Sequence, residues 1–217
     1  MRCDLHCHTS YSYDSTTSPR KIVEAAISKK IDCLAITDHS EIEGASEAAE
    51  YAEGKSILII PGIEIKSKDG DILGLNIKKI IPKGLPAEET IKRIKEAGGM
   101  VIIPHPFAWF YGFKGDLKKL INNIDGIEVL NASIFGTGNK TALKFAQKYN
   151  LSFTAGSDAH ETNFIGKAFL EIPGNNLSIE EVLKSIRNKN GRIIGKAANF
   201  FEKIIAHTGR SIAKFQT

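Results

Sequence analysis

The chain has 217 residues, a formal net charge of +4 and charges on 25% of its residues, which suits a globular domain and argues against a disordered or fibrous chain. No run of ~18 apolar residues occurs, so no membrane-spanning helix is expected, and MRCDLHCHTS lacks the apolar core of a secretory signal. Cys3, Cys7 and Cys33 form no C-x-x-C pair and read as reduced thiols in a cytoplasmic protein, while the mild basicity permits an anionic substrate without indicating one.

Apolar runs alternate with helix-like stretches along the chain. Residues 2–6 form a first strand, on which Asp4, His6 and His8 share one face at a period of two, so that Asp4 can orient a ligand histidine. Cys7 alternates away from the histidines into the core. Ser18-Pro19 reads as a helix cap followed by proline at the first helical position, opening a helix over 19–30. Residues 33–37 form a second strand and 42–53 a second helix. A third strand starts at 57–60, is interrupted by Pro61-Gly62 and resumes at 63–65. A hairpin follows, with residues 68–71 as its turn and 72–77 as the return strand.

The alternation then resumes. A helix is expected over 86–97, with Glu88 and Glu89 at the positive end of its dipole, and Gly98-Gly99 ends it. Strands follow at 100–103, 126–130, 152–155 and 167–172. Helices follow at 115–123, 138–149 and 178–188, the last with Ser178 and Glu181 in a capping-box pattern. The tail, 196–215, reads as helical. No linker, repeat or low-complexity stretch divides the chain.

Repeated βα units argue for a parallel sheet, open or closed into a barrel, and periodicity does not choose between them. The positions of the polar residues help. In a barrel of this kind, chemistry gathers at the C-terminal ends of the strands. His6 and His8 end the first strand, and Asp38 and His39 follow the second. Glu64 lies late in the third. His105, Asn131, and the pair Asp158 and His160 follow three later strands. Of the six histidines only His207 lies outside this set, and it reads as a surface or helix-capping residue.

In their order, the motifs DLHCHT, ITDH, PGIE, IPHPF and SDAH resemble the polymerase and histidinol phosphatase (PHP) domain, a family of metal-dependent phosphoesterases. The resemblance spans residues 1–195. It implies an α/β fold, a distorted (β/α)7 barrel in a single domain, with 196–217 as a helical extension. It also implies two or three divalent metal ions, manganese, zinc or iron. One would be held by His6, His8, Glu64 and Asp158. A second would share Glu64 and take His105 and Asn131. A third would use Asp14, His39 and His160. Glu64, Asp158 and His105 would act in catalysis, with Asp158 or a neighbouring histidine relaying the proton. Asn131 stands where relatives often carry histidine, glutamate or cysteine, and is either a weak ligand or a hydrogen-bonding neighbour. Asp38 supports His39 or another ligand. Apart from the resemblance, a donor set of imidazoles and carboxylates suits these metals, and the absence of cysteine ligands argues against a structural zinc.

The function implied is hydrolysis of phosphate mono- or diesters by a metal-activated water, on nucleotides or short nucleic acids. A histidinol-phosphate-like small-molecule phosphatase, an RNA-associated scaffold with little activity and an amidohydrolase are the alternatives. Relatives often carry an arginine after the H-P pair; here Ala108 and Trp109 follow Phe107, so Arg20, Lys114 or Lys140 would contact phosphate. Trp109, in a loop dense in aromatics, either stacks on a base or, with its neighbours, packs a lid or plugs the barrel mouth.

Overall fold

The computed structural model describes residues 1–197, and its first seven strands stand side by side in chain order around a nearly closed barrel. They are β1 (Arg2–Cys7), β2 (Cys33–Ile36), β3 (Leu58–Lys66), β4 (Asp71–Leu75), β5 (Met100–Ile103), β6 (Gly126–Asn131) and β7 (Ser152–Gly156). β8 (Ala168–Glu171) pairs antiparallel with β1, and β9 (Arg192–Gly195) pairs antiparallel with β8. The helices are α1 (Pro19–Ser28), α2 (Glu43–Ala52), α3 (Ala87–Glu96), α4 (Leu117–Leu120), α5 (Gly138–Tyr149) and α6 (Ile179–Arg187). Local chemistry sets their ends. Ser18 accepts the Lys21 N–H ahead of Pro19, and Ser178 and Glu181 complete a reciprocal capping box.

Strand alternation divides the core. Leu5, Ala35, Ile60, Leu73, Leu75 and Ile102 point inward and fill the barrel. Their neighbours point outward: Leu34 and Ile36 meet α1 and α2, while Ile63, Ile65, Val101 and Ile127 meet the layer that holds α3 and α5. The barrel floor is therefore packed, and the polar strand ends lie above it.

The expected distorted (β/α)7 barrel is the architecture observed, and the source of its distortion is visible. β1, β2 and β3 are parallel, as are β5, β6 and β7, but β4 runs antiparallel to both β3 and β5. A hairpin has replaced one helical crossover. β3 is continuous through Pro61-Gly62, contrary to the expected interruption. Residues 58–61 pair with β2 and residues 62–66 with β4, so the strand changes partner at the proline instead of breaking. Asp71, expected in the turn, is already paired with Lys66. β9 was not foreseen. The expected extension over 196–217 starts at the edge of the described residues, and His207 lies outside them.

Two irregularities aim side chains. Between Asp4 and Cys7, β1 spends three steps where β2 spends two, and between Glu128 and Leu130, β6 spends two where β7 spends one. Each extra residue re-aims the strand end. In β1 it separates Asp4 from the histidines. Asp4 instead accepts N–H groups from Ser157 (2.8 Å) and Gly166 (2.9 Å), so the expected support of a histidine is replaced by support of the loop after β7.

The barrel closes where that loop meets β1: Asp158 N–H donates to His6 O and His8 N–H to Ala159 O, both at 2.8 Å. The seam requires Gly156, because a Cβ there would stand 2.4 Å from His6 Cβ. Gly156→Ala is expected to lower stability by about 1–3 kcal/mol in urea unfolding, the usual cost of overpacking a tight site. An unchanged midpoint would show that the seam has slack.

Candidate metal centre

The two histidines of β1 are fully buried, and their Nε2 atoms lie 3.2 Å apart. Their other ring nitrogens are engaged. His6 Nδ1 meets Glu128 Oε1 at 3.2 Å, and His8 Nδ1 meets Ser12 Oγ at 3.1 Å. Ser12 gives its own proton to Asp38 Oδ1 (2.8 Å) and accepts the His39 N–H (3.0 Å), so it receives the His8 proton. Asp38 also accepts from Thr9 N and Oγ1. His160 repeats the arrangement, with Nδ1 at 3.1 Å from Asp158 O. This pattern assigns the Nδ1–H tautomer to the three rings and leaves Nε2 lone pairs facing the pocket. Two such lone pairs at 3.2 Å repel unless a proton or a cation stands between them.

Carboxylates surround the rings. Glu64 Oε2 is 3.4 Å from His6 Nε2, 3.3 Å from His8 Nε2 and 3.3 Å from His39 Nδ1, while its Oε1 is 3.2 Å from His105 Nε2. Asp158 Oδ1 lies 3.3 Å from His8 Nε2 and 3.7 Å from His6 Nε2. Asp14 Oδ2 lies 3.1 Å from His160 Nε2 and 3.4 Å from His39 Nε2. Three overlapping triads have donor atoms within 4.8 Å of one another: His6, Glu64 and His105; His6, His8 and Asp158; His8, His39 and His160. Asp14 Oδ1 and His105 Nδ1 are buried without a partner. The nitrogen and oxygen donors, their crowding and these orphaned atoms fit divalent cations of the zinc, manganese or iron type.

The electrostatics are those of a site that holds positive charge. Burial opposes protonation of His8, but hydrogen bonds to Asp158 and Glu64 outweigh it and raise its pKa to about 9. Burial also opposes a charge on His6, and Asp158, Glu128 and Glu64 overcome it, leaving the pKa well above its ordinary value. His105 is raised in the same way by Glu64. Burial would raise Glu64 and Asp158, yet the surrounding histidines hold both carboxyls well below their usual range. His105 and Asp158 both have positive φ, 32° and 51°, a conformation that non-glycine residues adopt at a cost of ~1–3 kcal/mol.

Of the residues expected from sequence, His6, His8, Asp14, His39, Glu64, His105, Asp158 and His160 meet in this pocket. Asn131 is there too, but its amide is already used. Nδ2 donates to Glu128 Oε2 (2.9 Å) and Asp158 Oδ2 (3.3 Å), and Oδ1 accepts the Ser133 N–H (2.7 Å). Glu128 was missed. It is 1% exposed, bonds His6, and accepts the His105 N–H at 2.9 Å. Its signal was a lone carboxylate in an otherwise apolar strand, GIEVLN. Arg20 is engaged by Glu24 and by the ring of Tyr51, on α1 and α2, and by none of the cluster. Lys114 is exposed, and its backbone N–H donates to Asp69 O. Lys140 is exposed on α5. In the loop after His105, Phe107 and Phe113 pack inward and the Tyr111 ring stands edge-on to His105 at 5.0 Å. Trp109 and Phe110 stack on each other and are 90% and 83% exposed, so they plug nothing.

Comparison with known proteins settles the family. The PHP domain profile matches residues 4–162, and a PHP-associated profile matches residues 136–190. The chain belongs to the PHP domain family. That membership places it among metal-dependent hydrolases of phosphoester bonds. An uncharacterized protein of Methanocaldococcus jannaschii is 40% identical over 142 residues, 61% of this chain and 82% of its own length. The 5'-3' exoribonuclease Rnm of Salmonella typhimurium is 34% identical over 46% of this chain and 36% of its own. A phosphoribosyl 1,2-cyclic phosphate 1,2-diphosphodiesterase of Eggerthella lenta is 29% identical over 36% of this chain and 32% of its own. Two solved structures share the fold. A two-domain Bacteroides vulgatus protein containing a predicted PHP-like metal-dependent phosphoesterase has a TM-score of 0.76 and 19% identity, over 90% of this chain and 65% of that one. PsfC of Pseudomonas syringae has a TM-score of 0.76 and 18% identity over 98% of each chain.

Among the described residues no helix is long and apolar enough to cross a membrane.

The raised histidines set a pH dependence for the PHP domain stripped of metal. A histidine whose folded pKa exceeds its unfolded value of 6.5 stabilises the fold fully below that value, and the contribution is lost as pH rises through the folded pKa, about 9 for His8. Urea unfolding in chelator should show stability falling by at least ~1 kcal/mol between about pH 7 and 9.5. Saturating manganese should flatten that decline, because a cation takes the place of the protons. Stability that is flat or rising in chelator would contradict the description of the pocket.

Proposed function

We propose that this PHP domain protein hydrolyses phosphate mono- or diesters of nucleotides or short nucleic acids, using two or three divalent ions, manganese, zinc or iron. The observation that carries the reading is the convergence of three overlapping donor triads on one buried pocket at the barrel mouth. His6, His8, Glu64 and Asp158 would hold one ion. Glu64 and His105 would hold a second, and Asp14, His39 and His160 a third. Such ions, when bound, activate water near neutral pH and neutralise phosphate oxygens.

The chain's own groups supply the rest. Glu64 presents both oxygens to different histidines and so fixes the spacing of the halves of the pocket. Asp158 Oδ1 lies within 3.8 Å of ring nitrogens of His6, His8 and His160, which supports Asp158 or one of these neighbouring histidines as the group that would relay a proton. Glu128 orients His6 and pins the backbone of His105, and Asn131 ties Glu128 to Asp158.

Two features support a nucleotide-bearing substrate. Trp109 and Phe110 present bare ring faces, and Tyr13, 78% exposed, stacks on His39 at 4.9 Å. The names of the exoribonuclease and cyclic-phosphate relatives also agree with it. The second of these names supports a phosphorylated small molecule as the second reading.

His6→Ala combined with His8→Ala should remove most bound metal and reduce phosphoesterase turnover below detection. The assay is a panel of nucleotide mono- and bisphosphates, short RNA and sugar phosphates run with manganese. Trp109→Ala should raise KM for the RNA substrates and leave sugar phosphates unchanged. Wild-type-like turnover by the purified double variant would sink the assignment of the pocket.

A further inference from the structure

Of the cations expected to contact phosphate, Arg20 is engaged by Glu24 and Tyr51 on α1 and α2, and no ion pair among the described residues holds Lys114 or Lys140 in a fixed place. A substrate phosphate approaching the pocket meets Asp14, Glu64, Glu128 and Asp158, and needs fixed positive charge at the rim as well as any bound ions. Among the described residues of β1 to β7, one lysine or arginine stands at a C-terminal strand end on the inward face. It is Lys66, the last residue of β3.

Three observations fix its direction. Lys66 follows Glu64 by two positions, so both side chains leave the same face of β3, about 6.6 Å apart along the strand. The register sets Glu64 opposite Leu73 and Lys66 opposite Asp71, and Leu73 belongs to the core inside the barrel. Lys66 therefore occupies the layer directly above the pocket. Its Nζ donates to Asp71 Oδ2 at 3.0 Å, which uses one of three ammonium protons, while its side chain stays 62% exposed.

The anchor is buried and incompletely satisfied. Asp71 is 6% exposed, and its Oδ1 has no partner. The strand end carrying both residues is pinned from outside. Gly84 N–H donates to Lys66 O, Lys68 N–H to Leu85 O, and Asp69 caps α3 by accepting the Ala87 N–H at 2.8 Å. A buried carboxylate holding a lysine by one proton on a rigid hairpin leaves a pre-aimed cation with two free donors. Burial works against the Lys66 charge, and Asp71, Glu64 and Tyr13 favour it, which agrees with a place facing the pocket.

We propose that Lys66, held by Asp71 at the rim above Glu64, binds the substrate's phosphate and fixes it over the pocket. Asp71 is the positioning residue that acts through it. The inference rests on the phosphoesterase reading and names the group that supplies phosphate affinity. A lysine in this role acts as a point charge and mainly sets KM.

The test uses the full chain loaded with manganese and two readouts. In steady-state kinetics on the best phosphoester of the panel, Lys66→Gln should raise KM about tenfold or more and change kcat less than threefold, and Lys66→Arg should stay within threefold of wild type in both. In calorimetric titration with inorganic phosphate, Lys66→Gln should weaken binding by about the same factor, with unchanged manganese content. Because Lys66→Gln strands a buried carboxylate, the double variant K66Q/D71N is measured too. It should recover the thermal midpoint and keep the raised KM and weak phosphate binding. Recovery of wild-type KM and phosphate affinity by the double variant would overturn the proposal, since Lys66 would then serve only to neutralise Asp71. Unchanged phosphate affinity in Lys66→Gln would overturn it as well. A wild-type chain that turns over no phosphoester would contradict the functional reading, and the phosphate titration would still decide for or against Lys66.

Discussion

Two buried imidazole nitrogens 3.2 Å apart, each with its lone pair turned inward, repel each other unless a proton or a cation stands between them. The rest of the pocket follows from that requirement. Glu64 and Asp158 are drawn into a water-poor site where an isolated carboxylate would be costly, and the rings that need protons or a cation repay that cost. Glu128 and Ser12 stand behind the rings and take their Nδ1 protons, which keeps the Nε2 atoms pointed at one another. The outer residues thereby maintain a repulsion that only a cation or protons relieve.

The fold is bent to deliver this arrangement. An ordinary strand would alternate Asp4, Leu5 and His6 in and out, and the extra residue in β1 breaks that pattern where the pocket histidines begin. A second extra residue in β6 brings Glu128 and Asn131, three positions apart, to the same pocket. The seam between β1 and the loop after β7 joins the two ends of the barrel through the backbone of His6, His8, Asp158 and Ala159. The hydrogen bonds that close the barrel thus also hold residues of the site. β4, antiparallel to both neighbours, makes the hairpin that carries Lys66 and Asp71 to the rim.

Much of this was legible in the sequence, because strand ends and histidines are local signals. The alternating elements, the capping box at Ser178 and Glu181 and the position of Glu64 late in β3 needed only pattern and spacing. What escaped depended on pairing between distant segments. Asp4 read as sharing a face with His6, since a bulge leaves no mark on one strand alone. Pro61 read as a break, since its role as the point where β3 changes partners is set by β2 and β4. Glu128 and Lys66 belong to no motif, and only the strand register shows that they face inward. Arg20 and Lys114 were weighed as phosphate contacts because charge is visible in a sequence and direction is not.

The central claim is that the pocket is built around divalent cations. Diffraction from crystals grown with saturating manganese, recorded where manganese scatters anomalously, tests it most directly. The account predicts anomalous density in the pocket, within bonding distance of the Nε2 atoms of His6 and His8 and the oxygens of Glu64 and Asp158. Fully ordered side chains with no anomalous peak among them, or peaks only elsewhere on the protein, would contradict it.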